Sequence, residues 1–247
     1  MYFLLYQNNA VPYKRIMLKL SGEALRGQDA NTIWDFASIL RICQDLQRIH
    51  VKGIGICIVV GGGNICRGTT LSKIGIERVR SDQMGMLATV MNSIAIQSVF
   101  DSLNIESRLQ SALSISQCAE PYVIRRGLRH LEKRRVLIFS GGTGNPFFTT
   151  DTGAVLRALE MKCDVMIKGT GVDGIYCSDP RKNPDAILYK ELSYDKAIEE
   201  KLGIADSTAM TMARDGGLPL LVCNIHKPKI LSEIVFDLSK EYSIVKC

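Results

Sequence analysis

No two cysteines in this chain form a CxxC pair, and none of its three histidines stands at metal-ligand spacing, so the sequence offers no recognisable zinc site. The pattern GxxxxGK[ST] is absent, which excludes a P-loop. The longest apolar run, "IGICIVV", stops at three glycines and falls far short of the ~20 residues a membrane span needs. Seven prolines, one tryptophan, no low-complexity tract and no solenoid-period repeat argue against disorder and against a repeat array. His50, His130 and His226 stand away from the glycine-rich segments described below, so a Ser/Cys–His hydrolase finds no support.

What is present is a chain of 247 residues, 46% apolar, enough for one large domain or two small ones. Its formal net charge of +6 suits an anionic small ligand as well as it suits nucleic acid. The eight cysteines, at 43, 57, 66, 118, 163, 177, 223 and 247, read as reduced, mostly buried small hydrophobes of a cytoplasmic protein. The opening "MYFLLYQNNAVPYKR" has too short an apolar patch for a signal-peptide core and reads as a loose N-terminal arm.

Five apolar stretches read as buried strands: "RIMLKL", "GIGICIVV", "RVLIFS", "DVMIKG" and "LPLLVCN". Helical periodicity separates them. It covers Asn31 to His50, where Ile33, Ala37, Leu40 and Leu46 recur, and Ser81 to Leu103. Alternation of this kind predicts a parallel α/β sheet covered on both faces. In the 81–103 segment Met84, Leu87, Met91, Ile94 and Phe100 make one apolar stripe, and Met86, Val90, Ile96 and Val99 extend it around the helix. The favoured expectation is a helix buried in the core; the alternative is that its second face packs on another subunit.

Glycines follow four strands at once, in "KLSGEAL", "VVGGGNICRG", "FSGGTGNP" and "IKGTGVDG". Ligands of open parallel sheets bind beyond the carboxyl ends of the strands, where bare backbone N–H groups can cradle an anion. The GxGxxG at Gly169, Gly171 and Gly174 is a decoy, because "IYCSDPRKNPDA" with its two prolines follows where the dinucleotide fingerprint needs a helix. Around the tips stand Lys19, Arg67, Lys168, Asp82, Asp151 and Asp179, an inventory that fits phosphoryl transfer by positioning and charge stabilisation.

The stretches "KRIMLKLSGEAL", "VVGGGNICRG", "SDQMGMLATVMN", "GTGNPFFTTDTGA" and "VDGIYCSDPRK" resemble, in order and spacing, the motifs of bacterial uridylate (UMP) kinases within the amino-acid kinase superfamily. The resemblance runs from about Tyr13 to the C-terminus. It implies a three-layer αβα sandwich with a mainly parallel central sheet, formed by a single catalytic domain over residues 13–247 after an arm over 1–12. It further implies a cytoplasmic homohexamer of pyrimidine biosynthesis that converts MgATP and UMP to ADP and UDP, with Mg2+ arriving with ATP and no protein metal site. A nucleotide effector is implied as a further partner; a membrane and nucleic acid are not.

By the same resemblance Lys19, Asp151 and Lys168 are catalytic, Lys19 meeting the transferring phosphoryl and Asp151 orienting the lysines, with an ordinary surface lysine the alternative for Lys168. ATP falls to Lys19, Leu20, Ser21, Gly22, Gly63, Arg67, Thr170, Tyr176 and Asp179. UMP falls to Gly62, Asp82 and the loop Thr143, Gly144, Asn145, Pro146, Phe147, Phe148, Thr149 and Thr150, with the two phenylalanines shaping the pocket. Asp206 is either near the metal or a helix cap. Gly171 stands where relatives often carry lysine, and Gln97 and Asp101 where GTP-activated relatives carry basic residues, although Arg108 and Arg135 match basic positions. The basic segment 125–135 reads first as a solvated helix face; an effector site between subunits or nucleic-acid contact are the alternatives. Two competing functions remain open: a carboxylate or carbamate kinase of the same fold, and a non-catalytic nucleotide-binding regulator.

Overall fold

The computed structural model describes residues 12–26, 32–66, 71 and 74–247. Nearly all of the expected N-terminal arm, and Arg67, lie outside the described residues. All five expected strands form: β1 (Arg15–Leu20), β2 (Gly55–Val60), β5 (Val136–Ser140), β6 (Val165–Thr170) and β10 (Leu220–Asn224). Along β1, Ile16, Leu18 and Leu20 enter one core cluster and Met17 the other. Burial on both faces is why these strands read as continuous apolar runs instead of alternating ones.

The described residues hold six further strands: β3 (Ser107–Ser111), β4 (Glu120–Pro121), β7 (Ile175–Tyr176), β8 (Leu188–Tyr189), β9 (Glu191–Ser193) and β11 (Ser243–Lys246). The nine-stranded sheet runs β4-β3-β5-β2-β1-β6-β10-β11-β9, and β7 and β8 pair apart from it. Only the β10–β11 pairing in the large sheet is antiparallel. The four glycine-tipped strands β5, β2, β1 and β6 are therefore consecutive at its centre. Their ends are level: Leu20 is in register with Val60 on one side and with Gly169 on the other.

Helices cover both faces. α1 (Phe36–His50), α2 (Arg78–Ser102) and α7 (Ile230–Val235) lie on one side, through residues such as Leu46, Phe100 and Ile234. On the other lie α3 (Ile124–Glu132), α4 (Thr150–Glu160), α5 (Tyr194–Glu199) and α6 (Ser207–Asp215), through Leu131, Ala158, Ala197 and Ala213. This is a three-layer α/β sandwich with a mostly parallel central sheet. α4 connects β5 to β6 by crossing beneath β2 and β1, which brings its N-terminus up between the glycine tips.

Three expectations are corrected. The first helix starts at Phe36, because Asp35 caps it by accepting a hydrogen bond from Ser38 N. Its buried face is Ile39, Ile42, Leu46 and Ile49, while Ile33 and Ala37 are exposed. The long helix α2 is not buried all round: Met84, Leu87, Met91 and Ile94, at spacings of three, four and three, are between 41% and 50% exposed. Its inner face carries Met86, Val90, Ile96, Val99 and Phe100 together with the polar Thr89, Asn92 and Ser93. Of the cysteines, all free, only Cys43, Cys57 and Cys223 are fully buried. In the basic segment, α3 buries Gly127, His130 and Leu131 and leaves Arg125, Arg126 and Arg129 outward.

Candidate active site at the strand tips

Lys19 on β1 and Lys168 on β6 are register partners, so their side chains leave the sheet on the same face. Both reach Asp151, in the first turn of α4. Lys19 Nζ lies 2.7 Å from Oδ1, and Lys168 Nζ lies 2.6 Å from Oδ2. Lys19 is only 7% exposed. Lys168 also donates to the carbonyl of Ile204, so it is no surface lysine. Burial pushes the Asp151 carboxyl up, but the charges of Lys19 and Lys168 outweigh it and hold the pKa below the ordinary carboxylate value. Burial pulls the Lys168 ammonium down, against the pull of Asp151.

A depressed carboxylate pKa stabilises the fold fully above the unfolded value near 3.8, and that contribution is lost as pH falls through the folded value. Asp151→Asn should therefore be clearly less stable than the parent at neutral pH, with the gap closing below about pH 4. Urea midpoints across that range check this. A gap that stays constant down to pH 3 would contradict it.

The N-terminus of α4 is built from threonines and one aspartate. Thr149 caps it, accepting from the backbone N–H groups of Asp151 and Thr152. Asp206 accepts from the hydroxyls of Thr149 and Thr152, and caps α6 by accepting from Ala209 N at 3.0 Å. Of the two readings of Asp206, the structure shows the cap. The positive end of this helix favours an anion placed above it.

The β1 and β2 tips touch. Gly61 N donates to Leu20 O at 2.9 Å, and Ser21 stands just before the short 3-10 turn that begins at Gly22, its side chain making no capping hydrogen bond. A Cβ on Gly22 would stand 2.3 Å from Asn64 Oδ1 and 2.8 Å from Gly63 N. Gly62 is pressed as closely against α2, where a Cβ would meet Ala88 Cβ and Gly85 O at 2.8 Å. Beyond β5 the loop needs positive φ at Gly141, Gly142, Gly144 and, unusually, Phe147 at φ 72°. Thr143 and Asn145 exchange hydrogen bonds within it. Phe147 N donates to Asp82 Oδ2 at 2.8 Å, and Arg78 Nε reaches the same oxygen at 2.8 Å. The Arg78 guanidinium lies 5.4 Å from the centroid of the Phe147 ring. Phe147 and Phe148 are themselves exposed, after Pro146, and form the outer rim of the loop.

On the other flank a cavity of about 450 Å³ is lined by Lys168 together with Thr170, Tyr176 and Asp179, the three residues expected to face adenosine. The stretch from Glu200 to Ile204 forms a further wall that the sequence reading missed. Gly174, followed by β7 and no helix, is required by packing: a Cβ there would stand 2.2 Å from Ser243 Oγ. The sequence reading also passed over Asn64, Thr89 and Asn92, of which Thr89 and Asn92 are buried. Among the described residues no group of three His, Cys, Asp or Glu side chains could hold a metal ion. Nor is any helix among them long and apolar enough to cross a membrane.

The profile of the Amino acid kinase family matches residues 14–224. A uridylate kinase of Cereibacter sphaeroides is 50% identical over 221 residues, 90% of this chain and 89% of that protein. One from Roseobacter denitrificans is 49% identical over 216 residues, covering 87% and 89%. The crystal structure of the UMP kinase from Bacillus anthracis superposes with a TM-score of 0.90 at 36% identity, covering 95% of this chain and 96% of that one. These likenesses span nearly the whole chain and include every strand that carries the site, so the chain belongs to the amino acid kinase family, among its uridylate kinases.

Proposed function

We propose that this chain is a UMP kinase that transfers the γ-phosphoryl group of MgATP to UMP, giving UDP and ADP in pyrimidine nucleotide biosynthesis in the cytoplasm. The observation that carries the reading is Asp151 holding Lys19 and Lys168 together under the strand tips, beside a "GTGNPFFTTD" loop tied to Asp82. An oxygen of the UMP phosphate attacks the γ-phosphorus as the bond to the bridging oxygen of ADP breaks. The nucleophile is already anionic, so the site needs no general base. Lys19 and Lys168 stabilise the charge that spreads over the phosphoryl oxygens, and Asp151 fixes their ammonium groups.

ATP takes the 450 Å³ side, its adenosine against Thr170, Tyr176 and Asp179, and its phosphates fall to Leu20, Ser21, Gly22 and Gly63, and to Arg67, which lies outside the described residues. UMP takes the other side, its ribose on Asp82 and its phosphate and base on Gly62 and the loop from Thr143 to Thr150. The magnesium ion belongs to the MgATP substrate and supplies charge neutralisation at the β- and γ-phosphates; Asp151, committed to two lysines, is not a free ligand for it. The apolar stripe of Met84, Leu87, Met91 and Ile94 supports a homo-oligomer, which we assign as a hexamer. Light scattering that returns a monomer would remove that assignment. The chain from Tyr13 onward is one catalytic domain.

ADP release measured with MgATP and, one at a time, UMP, CMP, acetylglutamate and aspartate tests the reading. Turnover with UMP at least ten times that with CMP is expected, and none with the amino acids. Turnover with an amino acid and none with UMP would favour the carboxylate kinase; turnover with nothing, beside tight nucleotide binding, would favour the regulator.

A further inference from the structure

The inner face of α2 reaches two of the four glycine tips with polar side chains. Thr89 is 2% exposed; its hydroxyl donates to Met86 O at 2.6 Å and accepts the backbone N–H of Gly141 at 2.8 Å. Gly141, at φ 75°, is the first residue of the loop after β5, so this bond fixes where that loop leaves the sheet. One turn further, Asn92 is wholly buried and uses every hydrogen-bonding position it has. Its Nδ2 donates to Gly61 O and to Asn64 Oδ1, both at 2.7 Å. Its Oδ1 accepts from Trp34 Nε1 at 2.8 Å and from Asn64 Nδ2 at 3.0 Å. Asn64 in turn donates to Ile33 O at 2.8 Å. The two amides thus form a closed pair between α2, the β2 tip and the segment before α1, and Asn64 is the group that packs closest to Gly22.

Resting on the UMP kinase reading, we propose that Thr89 and Asn92 are positioning residues with divided duties. Thr89 holds the UMP loop through Gly141, and Asn92, with Asn64, holds the Gly61–Gly63 tip that both substrates share. Neither touches a substrate. Among the described residues each supplies the one partner of a backbone group whose place sets the phosphate cradle, and a buried backbone group without its partner moves to find another. The division follows from which tip each contacts, and it gives the two residues different kinetic signatures.

Thr89→Val keeps the shape and removes the hydroxyl. It should raise the KM for UMP about tenfold and leave the KM for ATP within about twofold, and Thr89→Ser, which keeps the hydroxyl, should hold the KM for UMP near that of the parent. Asn92→Ala should raise both KM values, and Asn64→Ala, at a half-exposed site that spares the core, should do the same more weakly. Damage to the fold alone reduces the active fraction, which lowers kcat and leaves both KM values in place, so KM shifts of the expected pattern support positioning. Equal KM shifts for both substrates in Thr89→Val, or unmoved KM values in all variants, would overturn it. Amide hydrogen exchange without substrate decides the point independently of the reaction. Faster exchange confined to residues 141–144 in Thr89→Val and to 61–64 in Asn92→Ala is expected, and unchanged exchange at both tips would overturn the proposal. Wild-type protein that ignores UMP, with variants that still show those exchange patterns, would sink the assignment of substrate and leave the positioning roles standing.

Discussion

Lys19→Met is expected to lower kcat by about a hundred- to a thousandfold while the KM values for ATP and UMP move by less than about fivefold. Methionine fills nearly the same volume, and a side chain only 7% exposed has the packing to accept it. What disappears is one cation at the level of the strand tips. In the ground state as proposed, backbone N–H groups of the glycine tips share the phosphates, so a single ammonium is a small share of binding. In the transition state charge moves onto the transferring group and the bridging oxygen, and a fixed cation about 4 Å away contributes roughly 4 kcal/mol at an effective dielectric near 20, before desolvation. Asp151 keeps Lys168 at 2.6 Å, so the carboxylate is not left unpaired and the loss belongs to Lys19 itself. Steady-state kinetics with each substrate varied in turn check it, with circular dichroism as the control for folding. A kcat within tenfold of the parent would remove Lys19 from charge stabilisation.

The centre of this fold was legible in the sequence because the strands that carry the chemistry are buried on both faces, and such strands read as near-continuous apolar runs. β1, β2, β5, β6 and β10 announce themselves in that way, and the glycines that follow four of them mark the site. The strands that escaped notice are short or polar: "SRLQS" of β3 carries one aliphatic residue, and β4, β7 and β8 span two residues each. α2 misled for a different reason. Apolar residues lie on two of its faces, and periodicity cannot say whether the second is covered by its own chain or left outward, as Met84, Leu87, Met91 and Ile94 are. Lys19, Asp151 and Lys168 could be nominated from residue type and motif. Their convergence, however, depends on α4 crossing under two strands, which is a fact of topology and not of local pattern. Thr89 and Asn92 were passed over because a Thr or Asn amid methionines and valines looks unremarkable until its partner, a backbone N–H or C=O far along the chain, is seen.

Gly22→Ala should abolish most activity, lowering kcat/KM by about a hundredfold or more, through a single added methyl group. Gly22 needs no unusual dihedral; what it needs is room. A Cβ at this position would lie 2.3 Å from Asn64 Oδ1, 2.8 Å from Gly63 N and 2.9 Å from Gly61 O. One of those atoms ends a side chain, but it belongs to the amide pair that Asn92 holds, and the other two are backbone of the neighbouring tip. Relief therefore requires the β1 and β2 tips to part, and these are the two surfaces proposed to grip the ATP phosphates. Since β1 and β2 remain paired from Arg15 to Leu20, the separation stays local and the fold survives, at a cost of about 1–3 kcal/mol. Both numbers are measurable on one preparation, kcat/KM by coupled assay and stability by urea unfolding. A folded variant with kcat/KM within threefold of the parent would show that the closeness of the two tips has no part in holding phosphate.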